Sequence, residues 1–195
     1  MNPTFRATRT FALVGVVITV LAALFAAVGA LTGWEPPWGF LAQAVIHLGE
    51  LAVVIAVALS GAAGRGWLAR IGLGAAIIGQ VLLVAAELIY PVSPDVGDQI
   101  FYVAPLLSAI GLILAGIAVL SARRWSGWRR FTPMLVGLWS LVVLTPALIA
   151  SGGPPAPLAL WAITGWELCW VALGAAVLTE IVVPARRPST AARVS

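Results

Sequence analysis

Six apolar stretches alternate with short polar or turn-forming segments along the chain. They run roughly over Phe11–Leu31, Phe40–Ala62, Leu68–Tyr90, Ile100–Leu120, Phe131–Ala150 and Pro157–Val183. Each is about 20 residues or longer, the length that crosses the ~30 Å hydrocarbon core of a bilayer as a helix. The breaks are rich in turn formers: Pro36-Pro37 after the first stretch, Pro94 and Gly97 between Pro91 and Asp98, and Ser-Gly-Gly-Pro-Pro-Ala from Ser151 to Ala156. Backbone in lipid must satisfy its own hydrogen bonds, which excludes open strands. The pattern therefore predicts an all-α membrane protein with six transmembrane helices, residues 1–195 forming one six-helix domain.

Composition removes the alternatives. The chain is 62% hydrophobic and 9% charged, whereas a soluble domain carries ~25% charged residues. It has too little polar surface to be a soluble globule and too much apolar surface to be disordered.

Charge gives the orientation. All eleven basic residues are Arg. Arg6 and Arg9 precede the first stretch, Arg65 and Arg70 flank the second junction, Arg123, Arg124, Arg129 and Arg130 crowd the fourth, and Arg186, Arg187 and Arg193 follow the last. The other three junctions hold Glu35, Asp95 and Asp98 and no Arg. With six spans, the positive-inside rule then predicts that both termini are cytoplasmic. Trp34, Trp38, Tyr90 and Tyr102 fall at the expected outer boundary, and Trp67, Trp125 and Trp128 at the inner one. The net charge of +4 is explained by this asymmetry, so the bilayer is the expected partner and nucleic acid is not. A lysine-free, Ala/Gly/Arg/Pro-rich composition fits a GC-rich bacterial genome, which places the expected location in the bacterial cytoplasmic membrane as a multi-pass protein. The first stretch ends in Ala27-Val28-Gly29-Ala30 as a signal peptide would, but it is longer than the usual 7–15 apolar residues, so an uncleaved helix is expected. The lone Cys169 forms no intrachain disulfide and does not report the redox compartment. A faint repeat at an offset of 61 matches Leu51, Leu59, Ser60, Gly66 and Trp67 with Leu112, Leu120, Ser121, Gly127 and Trp128.

Ionisable residues inside a span are the best functional pointers, because each costs ~2.5–3.5 kcal/mol on insertion scales. The second stretch carries Gln43, His47 and Glu50, whose steps of four and three share one helical face. The third carries Gln80 and Glu87, and the sixth Thr164 and Glu167. Glu180 lies at the inner end near Arg186 and reads as interfacial. At ~1.5 Å per residue, the polar groups form a patch in the outer half of the membrane, above inner halves that are nearly all apolar. Pro146 is expected to add to the patch by freeing the carbonyl of Val142.

Chemistry is then narrowed by elimination. One His, with Met134 at the inner end of its helix, cannot flank a haem, and without Lys there is no Schiff base, so no cofactor is expected. His47 and Glu50 three apart are a weak metal signal, and a metal is neither required nor excluded. No His-Glu-x-x-His or Gly-x-Ser-x-Gly is present, so enzymatic activity is not expected. The expectation is a polar pocket open to the outer side, with Gln43, His47, Glu50, Gln80, Glu87 and Glu167 as ligand- or proton-binding residues. Its role would be transport or binding of a small cationic or protonatable ligand. Two alternatives stand beside it. One is an accessory or scaffold subunit whose small-residue faces (Ala22 and Ala26, Ala75 and Gly79) pack on protein partners. The other is an intramembrane enzyme or metal-binding protein.

The charge asymmetry makes a topological prediction. A Cys in place of Asp95 should react with an impermeant maleimide applied from outside, and a Cys in place of Ser126 should not. The reverse labelling pattern would invert the topology.

Overall fold

The structure is a computed structural model that describes residues 3–182. The elements are α1 (Pro3–Thr32), α2 (Gly39–Ser60), α3 (Trp67–Ile89), α4 (Pro94–Ala122), a segmented fifth span, and α7 (Pro157–Val182). The fifth span begins with a 3-10 turn (Gly127–Phe131). It continues through α5 (Thr132–Trp139), a π-helical turn (Ser140–Leu144) and α6 (Thr145–Ser151). There are six helical segments long and apolar enough to cross a membrane, and no strand among the described residues. The chain is a polytopic membrane protein. Arg186, Arg187 and Arg193 lie outside the described residues.

The helix ends follow local chemistry and correct the sequence-based edges. α4 starts at Pro94 rather than near residue 100, so Asp95 and Asp98 belong to its first turns and not to a loop. Pro suits the first helical position, where no amide donor is needed, and Asp95 complements the positive end of the helix dipole. α1 likewise starts at Pro3, which puts Arg6 and Arg9 on the helix. α2 stops at Ser60 because Gly61 takes a left-handed conformation (φ 69°) and its amide bonds the carbonyl of Ala58. The two copies of the faint repeat part ways at their turns. Gly66 is extended and leads directly into α3, whereas Gly127 has a positive φ and opens a 3-10 turn.

Close helix contact is built on glycine. A Cβ at Gly72 would lie 2.6 Å from the amide nitrogen of Ala115, one at Gly79 2.6 Å from that of Ser108, and one at Gly111 2.5 Å from that of Ala76. Backbone therefore meets backbone along the whole α3–α4 hairpin. Lipid offers no hydrophobic drive for helices to associate, and close van der Waals contact between small residues takes its place. Gly15 against Val53 joins α1 to α2, and Gly116 against Met134 joins α4 to α5. Neighbours close into a ring in the order α1, α2, α3, α4, fifth span, α7 and back to α1, with α2 and α7 also in contact. Ala22, Ala26 and Gly79 are buried inside this packing, and Ala75 is half-buried. Much of these small-residue faces is thus used within the chain. Val17, Leu21 and Leu24, by contrast, point outward as lipid-facing residues do.

Successive spans run antiparallel, which gathers Arg6, Arg9, Arg65, Arg70, Arg123, Arg124, Arg129 and Arg130 at one end of the bundle, the arginine end. Glu35, Asp95 and Asp98 mark the opposite, acidic end. Arg124 closes the arginine end by donating to the carbonyl of Gly61 at 2.9 Å. Trp67 and Trp128 are exposed there, but Trp125 is buried in the core and is not an interfacial anchor.

Gly111→Val should lower the midpoint of thermal unfolding in detergent, by an overpacking cost of about 1–3 kcal/mol. Gly74→Ala, whose Cβ would meet nothing within 4 Å, should leave the midpoint unchanged. Equal behaviour of the two variants would refute the backbone-contact account of the hairpin.

Candidate functional site

The polar face of α2 is turned inward. His47 and Glu50 are both buried, and the Nδ1 of His47 lies 2.7 Å from Oε2 of Glu50. The spacing of three along one helix produces this pair directly, since such residues are neighbours on the surface of an α-helix. On its other side, Nε2 of His47 approaches Oε1 of Glu87 on α3 at 3.8 Å. Glu167 on α7 is buried within hydrogen-bonding reach of Glu50. The sequence-predicted residues His47, Glu50, Glu87 and Glu167 are therefore brought together from three helices.

Burial is graded along the series. The side chain of Glu87 is 15% exposed, that of His47 8% and that of Glu50 0%. Position follows the same order. Counting ~1.5 Å per residue from the acidic ends of their helices, Glu87 is ~3 Å deep, His47 ~12 Å, and Glu50 and Glu167 ~15 Å. The series descends from the acidic end to the middle of the bundle. Below it lie Val53, Val54, Val57, Leu173 and Val177, all buried and apolar.

Aromatic rings wall the deep end. Trp166 stands edge-on to His47 (centroids 6.5 Å apart) and to Trp170 (6.0 Å). Buried indole N–H groups ordinarily find an acceptor. Those of Trp166 and Trp170 have none, and neither Oε1 of Glu50 nor Oε2 of Glu167 has a donor. Two free donors on α7 and two free acceptors, one on α2 and one on α7, are thus buried in this part of the bundle.

The two predicted glutamines fall outside this group. Gln80 is fully buried but turns toward α4, where its Nε2 donates to Oγ of Ser108 at 3.0 Å. Gln43, one turn nearer the acidic end than His47, is half-buried and makes no hydrogen bond to the cluster. Thr164 bonds back to the carbonyl of Leu160 in its own helix. No group of three His, Cys, Asp or Glu among the described residues is arranged to hold a metal ion.

Two expectations are corrected. Pro146 is exposed and adds nothing to the cluster. Its helix is accommodated by the π turn, in which Oγ1 of Thr145 donates to the carbonyl of Ser140 at 2.8 Å. Glu180, at the arginine end, pairs with Arg129 at 2.6 Å, while its expected neighbour Arg186 lies outside the described residues.

Sequence reasoning missed Trp139. Its indole fills the notch left by Gly165 and donates from Nε1 to the carbonyl of Ala162 at 3.1 Å. It thereby clamps α5 onto α7 two residues before Glu167. Gly165 is the one signal that pointed there, a residue without a side chain in the middle of a span.

Trp139→Phe keeps a ring in the notch but removes the donor, and should cost about 0.6–1 kcal/mol of stability. Gly165→Val should cost more, because the added side chain and the ring compete for one volume. Both are read as unfolding midpoints, and a neutral Gly165→Val would discard the clamp.

Comparison of the chain with protein-family models, with curated proteins and with solved structures finds no match.

Proposed function

We propose that this membrane protein takes up a proton or a small monovalent cation from its acidic end into the His47–Glu50–Glu167 centre, as the binding step of a carrier or channel. The observation behind this reading is a charge imbalance. Three carboxyl groups (Glu50, Glu87 and Glu167) are gathered with a single imidazole (His47), so acids outnumber bases by two. Among the described residues, the only Arg in an ion pair is Arg129, and it pairs with Glu180 at the far end. A carboxylate without a basic partner is costly in a low-dielectric interior unless a cation or a proton neutralises it. The free oxygens of Glu50 and Glu167 are the natural places for them to bind.

In this reading the acidic end faces outward and both termini are cytoplasmic, in keeping with the arginines. Glu87, as the least buried member, receives the cation first. His47 holds Glu50 in position through the contact between Nδ1 and Oε2. Gln80 is committed to Ser108 on α4 and stands outside the path. A scaffold role has less support, because much of the small-residue faces is already occupied within the chain.

The test is uptake into proteoliposomes of three probes measured separately: protons with a lumenal pH dye, methylammonium, and sodium. The wild type should move or bind at least one of them. Glu50→Gln should abolish that activity while leaving the unfolding midpoint near that of the wild type, since Gln keeps the shape and loses the charge. Glu35→Gln, remote from the cluster, should behave as wild type. No response to any probe, or full activity in Glu50→Gln, would defeat the proposal.

A further inference from the structure

The cation class can be narrowed. We infer that the ligand of this centre is the proton, delivered by a relay that runs Glu87, His47, Glu50, Glu167. The inference rests on the proposed binding site and deepens it.

Four observations converge. The first is the order of the groups. Each can take up and release a proton, burial increases from Glu87 through His47 to Glu50, Glu167 lies level with Glu50, and the least buried stands at the acidic end. The second is the geometry at the imidazole. Nδ1 is hydrogen-bonded to Glu50 at 2.7 Å, and Nε2 faces Glu87 at 3.8 Å. That gap is longer than a hydrogen bond and is closed by a small approach or one bridging water. An imidazole bonded on both ring nitrogens can accept a proton at one and release it from the other. The third is the set of unpartnered polar atoms. Glu50 Oε1, Glu167 Oε2 and the N–H of Trp166 are buried at the end of the series without partners. The two carboxyls, which interact with each other, can hold a proton between them. The fourth is space. Glu50, Glu167 and Trp170 are each at most 1% exposed, so the side chains around them leave almost no surface that a water-sized sphere can touch. A proton, unlike a hydrated metal ion or an organic amine, needs no room of its own.

The proton balance is simple. A proton arriving at Glu87 passes to Nε2 of His47, where one O–H bond breaks and one N–H bond forms. The imidazolium then releases its Nδ1 proton to Oε2 of Glu50 and returns to neutrality. Glu50 then passes the proton to Glu167, the O–H bond on one carboxyl breaking as that on the other forms. No oxidant, reductant or leaving group is involved. The other elements packed on the series bring no competing charge. α1 presents Gly15, Ile18 and Thr19, and its only charged residues, Arg6 and Arg9, lie at the arginine end. α4 brings Asp95 and Asp98 at the acidic end only. Beyond Glu167 the relay meets the apolar residues toward the arginine end, so it loads the centre from one side.

Infrared spectroscopy on the full chain in nanodiscs tests this directly. The wild type should show the carbonyl stretch of a neutral carboxylic acid that shifts on transfer to D2O. Glu167→Gln and Glu50→Gln should each diminish that band. In His47→Gln the band should remain but exchange with D2O at least tenfold more slowly. Glu87→Gln is the second variant, less buried and less disturbing to the fold, and it should slow exchange in the same direction. Wild-type exchange rates in correctly folded His47→Gln and Glu87→Gln would overturn the relay and leave the binding centre standing. A missing acid band, together with Glu50-dependent uptake of methylammonium or sodium, would replace the proton by that cation. A missing band with no uptake of any probe would end both readings.

Discussion

A carboxyl group in the middle of an apolar bundle has to be neutralised by what the protein packs against it. In water a solvation shell does this, and in lipid nothing does. That constraint explains why α2 turns one face inward. With Glu50 at mid-span, the helix cannot rotate freely, because any other orientation would present the acid to hydrocarbon. His47, one turn nearer the acidic end on the same face, is carried inward with it. α3 and α7 then have to approach with Glu87 and Glu167. The rotational setting of three helices follows from one residue.

Close packing elsewhere makes that setting rigid. The α3–α4 hairpin is held by backbone contact at Gly72, Gly79 and Gly111, and the Gln80–Ser108 bond lies on the same seam. Because Gln80 is fixed toward α4, the face of α3 that meets α2 is fixed as well, and Glu87 has little freedom to swing away from His47. Packing density and site geometry are therefore one problem in this fold. A side chain added to the seam would reach the cluster through helix rotation, although no seam glycine touches it.

How much of this can be read from sequence depends on the range of the interaction. The six spans are legible because hydropathy is a local property averaged over about 20 residues. The His47–Glu50 pair is legible because a step of three determines a shared face whatever the tertiary structure. Which helix a face meets is not legible. Gln80 and Glu87, seven apart on one face, look like partners in a single patch, yet one bonds Ser108 and the other faces His47. The seven-residue step drifts by about 20°, and α3 has a different neighbour on each side. Trp125 fails as an interfacial anchor for the same reason. Its position near a boundary is readable, and its burial under neighbouring helices is not.

The fifth span shows a local signal whose consequence is tertiary. Thr145-Pro146 announces a disturbed helix, because proline removes a donor and crowds the preceding turn. Nothing in that dipeptide says whether the helix kinks, breaks or widens. Here it widens into a π turn, immediately after Trp139 and immediately before α6, which has no buried residue. π turns inside helices are frequent at functional positions. The arrangement divides the span into two mechanical parts. On the arginine side, Arg129–Glu180 and Trp139–Ala162 bind it to α7 at two separate points. On the acidic side, α6 is bounded by the π turn and by Gly152 and Gly153, both with positive φ. The half of α7 that carries Glu167 and the apolar residues below it is thus braced by α5, while the stretch nearest the acidic end is the least constrained part of the wall. The two side-chain ties between the fifth span and α7 thus lie beside and below the buried charges, where a loose helix would expose a carboxylate to lipid.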